Sequence, residues 1–342
     1  MKKNKPNKES FFKKIFIKIC RLLGYEIINQ SSVFIPTSNK YLNENLSVQG
    51  EKLITVPMGE IKVTRPVQTL DIIIKSCTSV NLVSQNKKRL FDYEKSEYTL
   101  RTINSIIRSI KYSQKFTKNI NYKIYVIDSG SSEKDIVTIK NMLKNSLIKN
   151  KIISLNLDEF TDRIKVINKN NEVFENNMKS TMASILQSFH FAKENCEDII
   201  YFVEDDYVHK EESLFEMILA YEKLSTLLEK EIFLCPVDYP YLYKSDNPTK
   251  VYLGHKNHWR TVEESLLTFL TSKQMLEKHW DKLIEMATIE SFPYETALHK
   301  IYKMEKCFSP IPSLAMHCTN INSSFGLSPN INWKKLWEDN QL

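Results

Sequence analysis

The sequence predicts an α/β fold, a mostly parallel central sheet with helices on both faces. Two observations carry this. Between residues 68 and 204, four apolar runs alternate with segments of helical period, the pattern of strands joined by helical crossovers. The strongest run, Ile199-Ile200-Tyr201-Phe202-Val203, passes directly into Glu204-Asp205-Asp206. A short continuous apolar run reads as a strand buried on both faces. Three carboxylates behind it are not core filler, because an unpaired buried charge is costly. The strand is therefore expected to end at a cleft. The plainer alternative is a surface turn whose acids are solvated or cap the next helix.

Each element follows in order. Residues 1–24 hold eight basic groups against Glu9, which leaves 40 basic and 40 acidic residues in the rest of the chain. The whole excess of +7 is therefore N-terminal, and no nucleic-acid partner is indicated for the body. Over Ser10–Leu23, Phe11, Phe12, Ile15, Phe16, Ile19, Leu22 and Leu23 keep helical spacing among lysines, with Gly24 as a stop. Such a basic amphipathic helix suits an anionic membrane surface, or else packs on the body. Residues 25–67 read as a connector, with edge strands over Ile54–Val67. Leu70–Cys77 is a first buried strand, 78–96 a polar loop with Arg89, and Glu97–Tyr112 a helix. Tyr122–Asp128 is a second strand ending in Asp128-Ser129-Gly130-Ser131-Ser132, with a helix over 133–148. Ile164–Ile167 is expected as a third strand. A helix over 179–194 leads to the fourth strand, 199–204.

The second half reads as a helix near 211–229, a strand Ile232–Val237 followed by Asp238, and a short strand Val251–Gly254. His258-Trp259-Arg260-Thr261, the apolar Leu266–Leu270, and a helix capped by Ser272 come next. A helix near Tyr294–Lys303 includes Glu295, and Pro310–Cys318 is the last strong segment. Residues 319–342 are polar with two tryptophans and are expected to wrap the site or body.

Composition excludes several functions. The six glycines allow neither a G-x-G-x-x-G fingerprint nor a Walker-type loop. The six scattered cysteines form no C-x-x-C, so reduced thiols in a cytoplasmic protein are expected. No secretory leader or membrane-spanning run is recognised.

In such sheets ligands sit outside the carboxyl ends of the strands. Ser76-Cys77, Asp128-Ser129 and Glu204-Asp205-Asp206 all lie there. Glu204 and Asp206, two apart, leave an extended chain on one face and repel unless a cation sits between them. Mg²⁺ or Mn²⁺ suits that oxygen pair. Lys179 and Ser180, read at a helix start, are candidates to meet phosphate. Arg260 is a candidate diphosphate clamp, with a structural ion pair as the alternative.

Over residues 68–335 these motifs resemble the GT-A class of nucleotide-sugar glycosyltransferases, closest to the family-2-like bacterial group. Tyr201–Tyr207 resembles its D-x-D motif, with Glu204 in place of the first Asp. Asp128–Ser131 resembles its acidic turn after the second strand, and Ser76-Cys77 stands where the first strand meets the nucleotide. The resemblance implies a GT-A-like, Rossmann-type sandwich with residues 336–342 as a tail. It also implies metal held by Asp206 and Glu204, ribose contact by Asp205, base contact at Asp128, and His317 as a further metal ligand, whose alternative is a structural histidine. For an inverting transfer a carboxylate must take the acceptor's proton. Glu295 is placed where the family's acidic base motif occurs, although no Glu-Asp pair is present. Asp238 is second, and Glu263 and Glu264 are weaker.

The expectation is a metal-dependent glycosyltransferase (Mn²⁺ or Mg²⁺) of surface polysaccharide or glycolipid synthesis. It would use a nucleotide-sugar donor and a saccharide or glycolipid acceptor, peripheral on the inner face of the membrane. The alternatives are a nucleotidyltransferase on a related fold and a membrane-tethered, non-catalytic binding module.

Overall fold

A computed structural model describes residues 11–25, 63–79, 89–167, 172–244 and 249–342. The chain divides into two units, Met1–Lys62 and Val63–Leu342. In the first, helix α1 spans Phe11–Leu22, as its apolar spacing predicts. It ends where Gly24 adopts φ +83°, a conformation glycine takes without steric cost. Phe11, Phe12, Ile15, Phe16, Ile19 and Leu22 are exposed. The connector and most of the strands expected over Ile54–Val67 lie outside the described residues. Residues 63–67 form no strand.

The second unit begins with β1 (Thr69–Ser76) and α2 (Lys95–Gln114). β2 (Asn121–Asp128) and α3 (Glu133–Ser146) follow, the helix capped by the Ser132 hydroxyl on the Asp135 amide. Then come β3 (Lys149–Ser154), α4 (Leu157–Thr161), α5 (Glu172–Asn195), β4 (Ile199–Val203), β5 (Tyr207–His209) and α6 (Ser213–Leu228). The second half supplies β6 (Phe233–Leu234), β7 (Val251–Leu253), β8 (His258–Val262) and β9 (Phe269–Ser272). It closes with α7 (Lys273–Lys278), α8 (Trp280–Thr288), α9 (Thr296–Met304), β10 (Cys307–Ile311), β11 (Ala315–His317) and α10 (Trp333–Asp339).

Nine strands form one sheet in the order β3-β2-β1-β4-β9-β6-β10-β8-β7. β3, β2, β1 and β4 are parallel, and β6 and β10 run the same way. Only β9 and β8 run against their neighbours on both sides. This is the α/β architecture the sequence predicts. Successive side chains leave opposite faces of a strand. On β4, Ile199, Tyr201 and Val203 enter a core with α2, α3 and α6, whereas Ile200 and Phe202 enter a second core with α5, α7, α8 and α9. Burial on both faces is why that strand reads as an unbroken apolar run. β5 and β11 form a separate antiparallel pair.

Several predicted elements are corrected. The third strand is Lys149–Ser154, not Ile164–Ile167, of which Lys165 makes a single bridge to Ile289. β3 is an edge strand, largely exposed, held to β2 by backbone pairing, so its sequence carries no apolar signature. α5 begins at Glu172 rather than 179. The strand expected over Ile232–Val237 is regular only at Phe233–Leu234. Residues 336–342, expected as a tail that wraps the site or body, belong to the second unit, with Leu336, Trp337 and Asn340 buried. The six cysteines are free.

Candidate active site

Register assembles the site. β1 lies between β2 and β4, with Ser76 opposite Asp128 and Ile74 opposite Val203. The three carboxyl ends therefore finish at one level, and Glu204 emerges beside Lys75. The Ser76 hydroxyl donates to Asp128 Oδ1 at 2.7 Å, and Asp128 accepts from the Gly130 and Ser131 amides of its own turn. Gly130 has φ +112°, which is why glycine stands there. The Ser129 amide donates to Ser76 O at 2.8 Å, and the Cys77 thiol to Ser129 O at 3.5 Å, which ties the two strand ends together.

Each member of the acid triplet has a different basic neighbour. Glu204 Oε1 lies 3.4 Å from Lys75 Nζ. Asp205 is paired with Lys95, the first residue of α2, and its Oδ2 accepts from the Cys77 amide at 3.1 Å and the Thr99 hydroxyl at 2.9 Å. Both its oxygens are engaged by protein, and it serves as a tie between β1, α2 and the acid turn. Burial opposes charge on the Lys95 ammonium, yet Asp205 and Asp206 hold its pKa above the ordinary value.

His317 reaches Asp206 through a tertiary pairing. β11 runs antiparallel to β5 with His317 opposite Tyr207, and the Cys318 amide donates to Asp206 O at 2.9 Å. The imidazole stacks on Tyr207, ring centroids 4.7 Å apart, and its Nε2 is 3.4 Å from Asp206 Oδ2. Burial alone would raise the Asp206 carboxyl. His317, Lys95 and Thr319 outweigh it and hold the group well below the usual carboxylate range. Burial disfavours imidazolium at His317, but Asp206, the Phe325 carbonyl and Glu204 raise its pKa.

Asp206 and His317 are the groups here that could ligate a divalent ion. His317 Nδ1 is 2.8 Å from the Phe325 carbonyl, which orients the ring and turns Nε2 toward Asp206. One carboxylate oxygen and one imidazole nitrogen face each other, a mixed set that would suit Mn²⁺ better than Mg²⁺, which prefers oxygen ligands alone. Glu204 is the outer member, shared with Lys75. Among the described residues no group of three or more His, Cys, Asp or Glu side chains has metal-binding geometry. The remaining positions would thus fall to water and substrate.

The two candidate bases separate. Glu295 stands at the position just before α9, half-buried. The neighbouring Tyr294 hydroxyl is buried without a hydrogen-bond partner. Burial, then Glu295, Glu204 and Glu290, push its pKa far up, and burial with Glu204 and Glu295 among its neighbours does the same at Tyr239. Glu295 and Glu204 therefore share a neighbourhood. Asp238 is buried, paired with Arg260, and accepts from Tyr243 Oη at 2.5 Å. Burial raises its pKa against the pull of Tyr243 and Arg260.

Two expectations change accordingly. Arg260 is not a free clamp: it is buried on Asp238, with its guanidinium 4.4 Å from the Tyr243 ring centroid. A cavity of about 100 Å³ beside it is lined by Thr261, Glu263, Tyr302 and Lys306 and by none of the acid triplet. Glu264 offers its carbonyl to Tyr241 Oη at 2.5 Å. Lys179 and Ser180 lie two turns inside α5, where Lys179 pairs with Glu175 at 2.8 Å, so they do not meet phosphate at a helix start. Sequence reasoning missed Lys75, Arg89, Lys95, Thr99 and Thr319. Lys75 alone had a signal, a cation directly after the apolar run Ile72–Ile74 near the end of β1.

No protein-family model matches the chain, and no curated protein matches it. Solved structures similar to it include the galactosyltransferase LgtC in complex with donor and acceptor sugar analogs, at 10% identity over 70% of this chain and 72% of that one, TM-score 0.35. S. aureus TarS 1-349 in complex with UDP is 12% identical over 65% of this chain and 56% of its own, TM-score 0.35. A UDP-glucose pyrophosphorylase complexed with UDP-glucose is 6% identical over 74% of this chain and 93% of that one, TM-score 0.38.

Proposed function

We propose that this chain transfers a sugar from a nucleotide-diphosphate sugar to a hydroxyl of a saccharide or glycolipid, with inversion, in surface-polysaccharide synthesis. One observation carries the reading: the carboxyl ends of β1, β2 and β4 finish in register, with His317 paired across to Asp206. Asp206 and His317, with Glu204 beside them, would hold Mn²⁺ or Mg²⁺. When bound, the ion supplies positive charge for the departing diphosphate. The Ser76–Asp128 turn forms the nucleotide end of the cleft. Glu295 accepts the proton of the attacking hydroxyl as the new glycosidic C–O bond forms. The bond from the sugar to the diphosphate breaks, and the nucleoside diphosphate leaves as the anion. α1 holds the enzyme on the anionic inner face of a membrane.

The test is a thermal-shift screen of the four common nucleoside diphosphates, with and without Mn²⁺, on wild type and Asp206→Ala. The expected outcome is one diphosphate that raises the melting point by several degrees with Mn²⁺, an increment lost in Asp206→Ala. No response to any diphosphate, or an equal response in the variant, would defeat the metal-diphosphate reading. A response confined to triphosphates would favour nucleotidyl transfer instead.

A further inference from the structure

Around the acid turn Lys75 sits beside Glu204, Lys95 on Asp205 and His317 beside Asp206. Arg89 is a fourth cation at the same place. It bridges to Thr319, two residues beyond His317, and the Leu90 amide donates to Cys318 O at 2.8 Å. Cys318 in turn donates to Asp206 O at 2.9 Å. The guanidinium carbon lies 5.5 Å from the Tyr98 ring centroid, close enough to Lys95 to oppose its charge.

Unlike the other three, Arg89 has no ion-pair partner among the described residues. Among the described residues its Nη2 is buried with no hydrogen-bond acceptor, while the residue as a whole is half-buried. A desolvated guanidinium N–H left unsatisfied is unfavourable until an acceptor arrives. Its planar fork matches two oxygens of a phosphate, which a lysine does not. We propose that Arg89 binds a phosphate group of the donor nucleotide. The proposal rests on the nucleotide-sugar reading and adds a phosphate contact that belongs to the protein rather than to a metal.

The test is calorimetric titration of the full chain with whichever diphosphate shifts wild type, with its parent nucleoside, and with inorganic pyrophosphate. Arg89→Ala is expected to weaken diphosphate binding about ten- to hundredfold. Nucleoside affinity should stay unchanged, since a nucleoside carries no phosphate for Arg89 to meet. Arg89→Gln keeps a polar side chain and loses the charge, and should behave alike. Wild-type diphosphate affinity in a folded Arg89→Gln overturns the proposal. So does an equal loss of nucleoside binding, which marks damage to the fold. If wild type binds no nucleotide but binds pyrophosphate through Arg89, the donor reading fails and the phosphate contact stands; if it binds neither, both fail.

Discussion

Asp238 and Glu295 were rival bases, and their surroundings predict opposite phenotypes. Glu295→Gln should lower kcat about 10²- to 10⁴-fold, the range for a lost general base, with diphosphate affinity unchanged. Asp238→Asn leaves the Arg260 guanidinium buried without its carboxylate, which costs about 3–5 kcal/mol in such pairs. Urea unfolding should register that loss first, and a stable but inactive Asp238→Asn would reverse the assignment. His209 gives a pH signature. Buried on β5, with Nε2 2.6 Å from Tyr201 Oη, its imidazole is pushed down to about 3. In the unfolded chain an ordinary histidine titrates near ~6.5. Between those values the unfolded state binds the extra proton. Stability therefore falls on acidification by ~1.4 kcal/mol per pH unit from this group alone. Urea midpoints between pH 4 and 6 should show a shallower slope in His209→Gln than in wild type.

Among the elements, α10 shows how a polar C-terminal stretch becomes structural. Trp337 lies 4.3 Å from Phe91 and 4.8 Å from Tyr98, and the Arg101 guanidinium lies 4.2 Å from its ring, centroid distances in each case. The Arg101 side chain also donates to the Trp337 carbonyl. The helix thus packs against the first turns of α2, which carry Lys95 and Thr99 to the acid turn. Trp337→Ala should cost about 3–5 kcal/mol in urea unfolding, as for other buried Trp truncations. Unchanged stability would mean that α10 merely rests on the surface. Neither tryptophan is marked by a period in the sequence, since seven residues make too short a window, and only the cluster explains them. β4 is the opposite case. Its five residues are buried on both faces, so a run of apolar letters was enough to find it.

At the scale of the whole molecule, the two units make separate demands. The excess charge and the exposed phenylalanines of α1 belong to the N-terminal unit, and no described helix is long and apolar enough to cross a membrane. Full-length protein should float with vesicles containing anionic lipid and fail to float with neutral ones. A variant lacking residues 1–24 should float with neither, and retained flotation would place the membrane contact elsewhere. The alternation of strands and helices in the parallel half, three of its four strands, the convergence of their carboxyl ends and the acid triplet were legible from sequence, because apolar runs and an unburiable charge cluster are local signals. The pairing of β11 with β5, the burial of Arg260 on Asp238, and the placement of Lys95 and Arg89 were not. Each depends on which distant segments the sheet brings side by side, and a side chain's partner is set by that packing rather than by its neighbours in the chain.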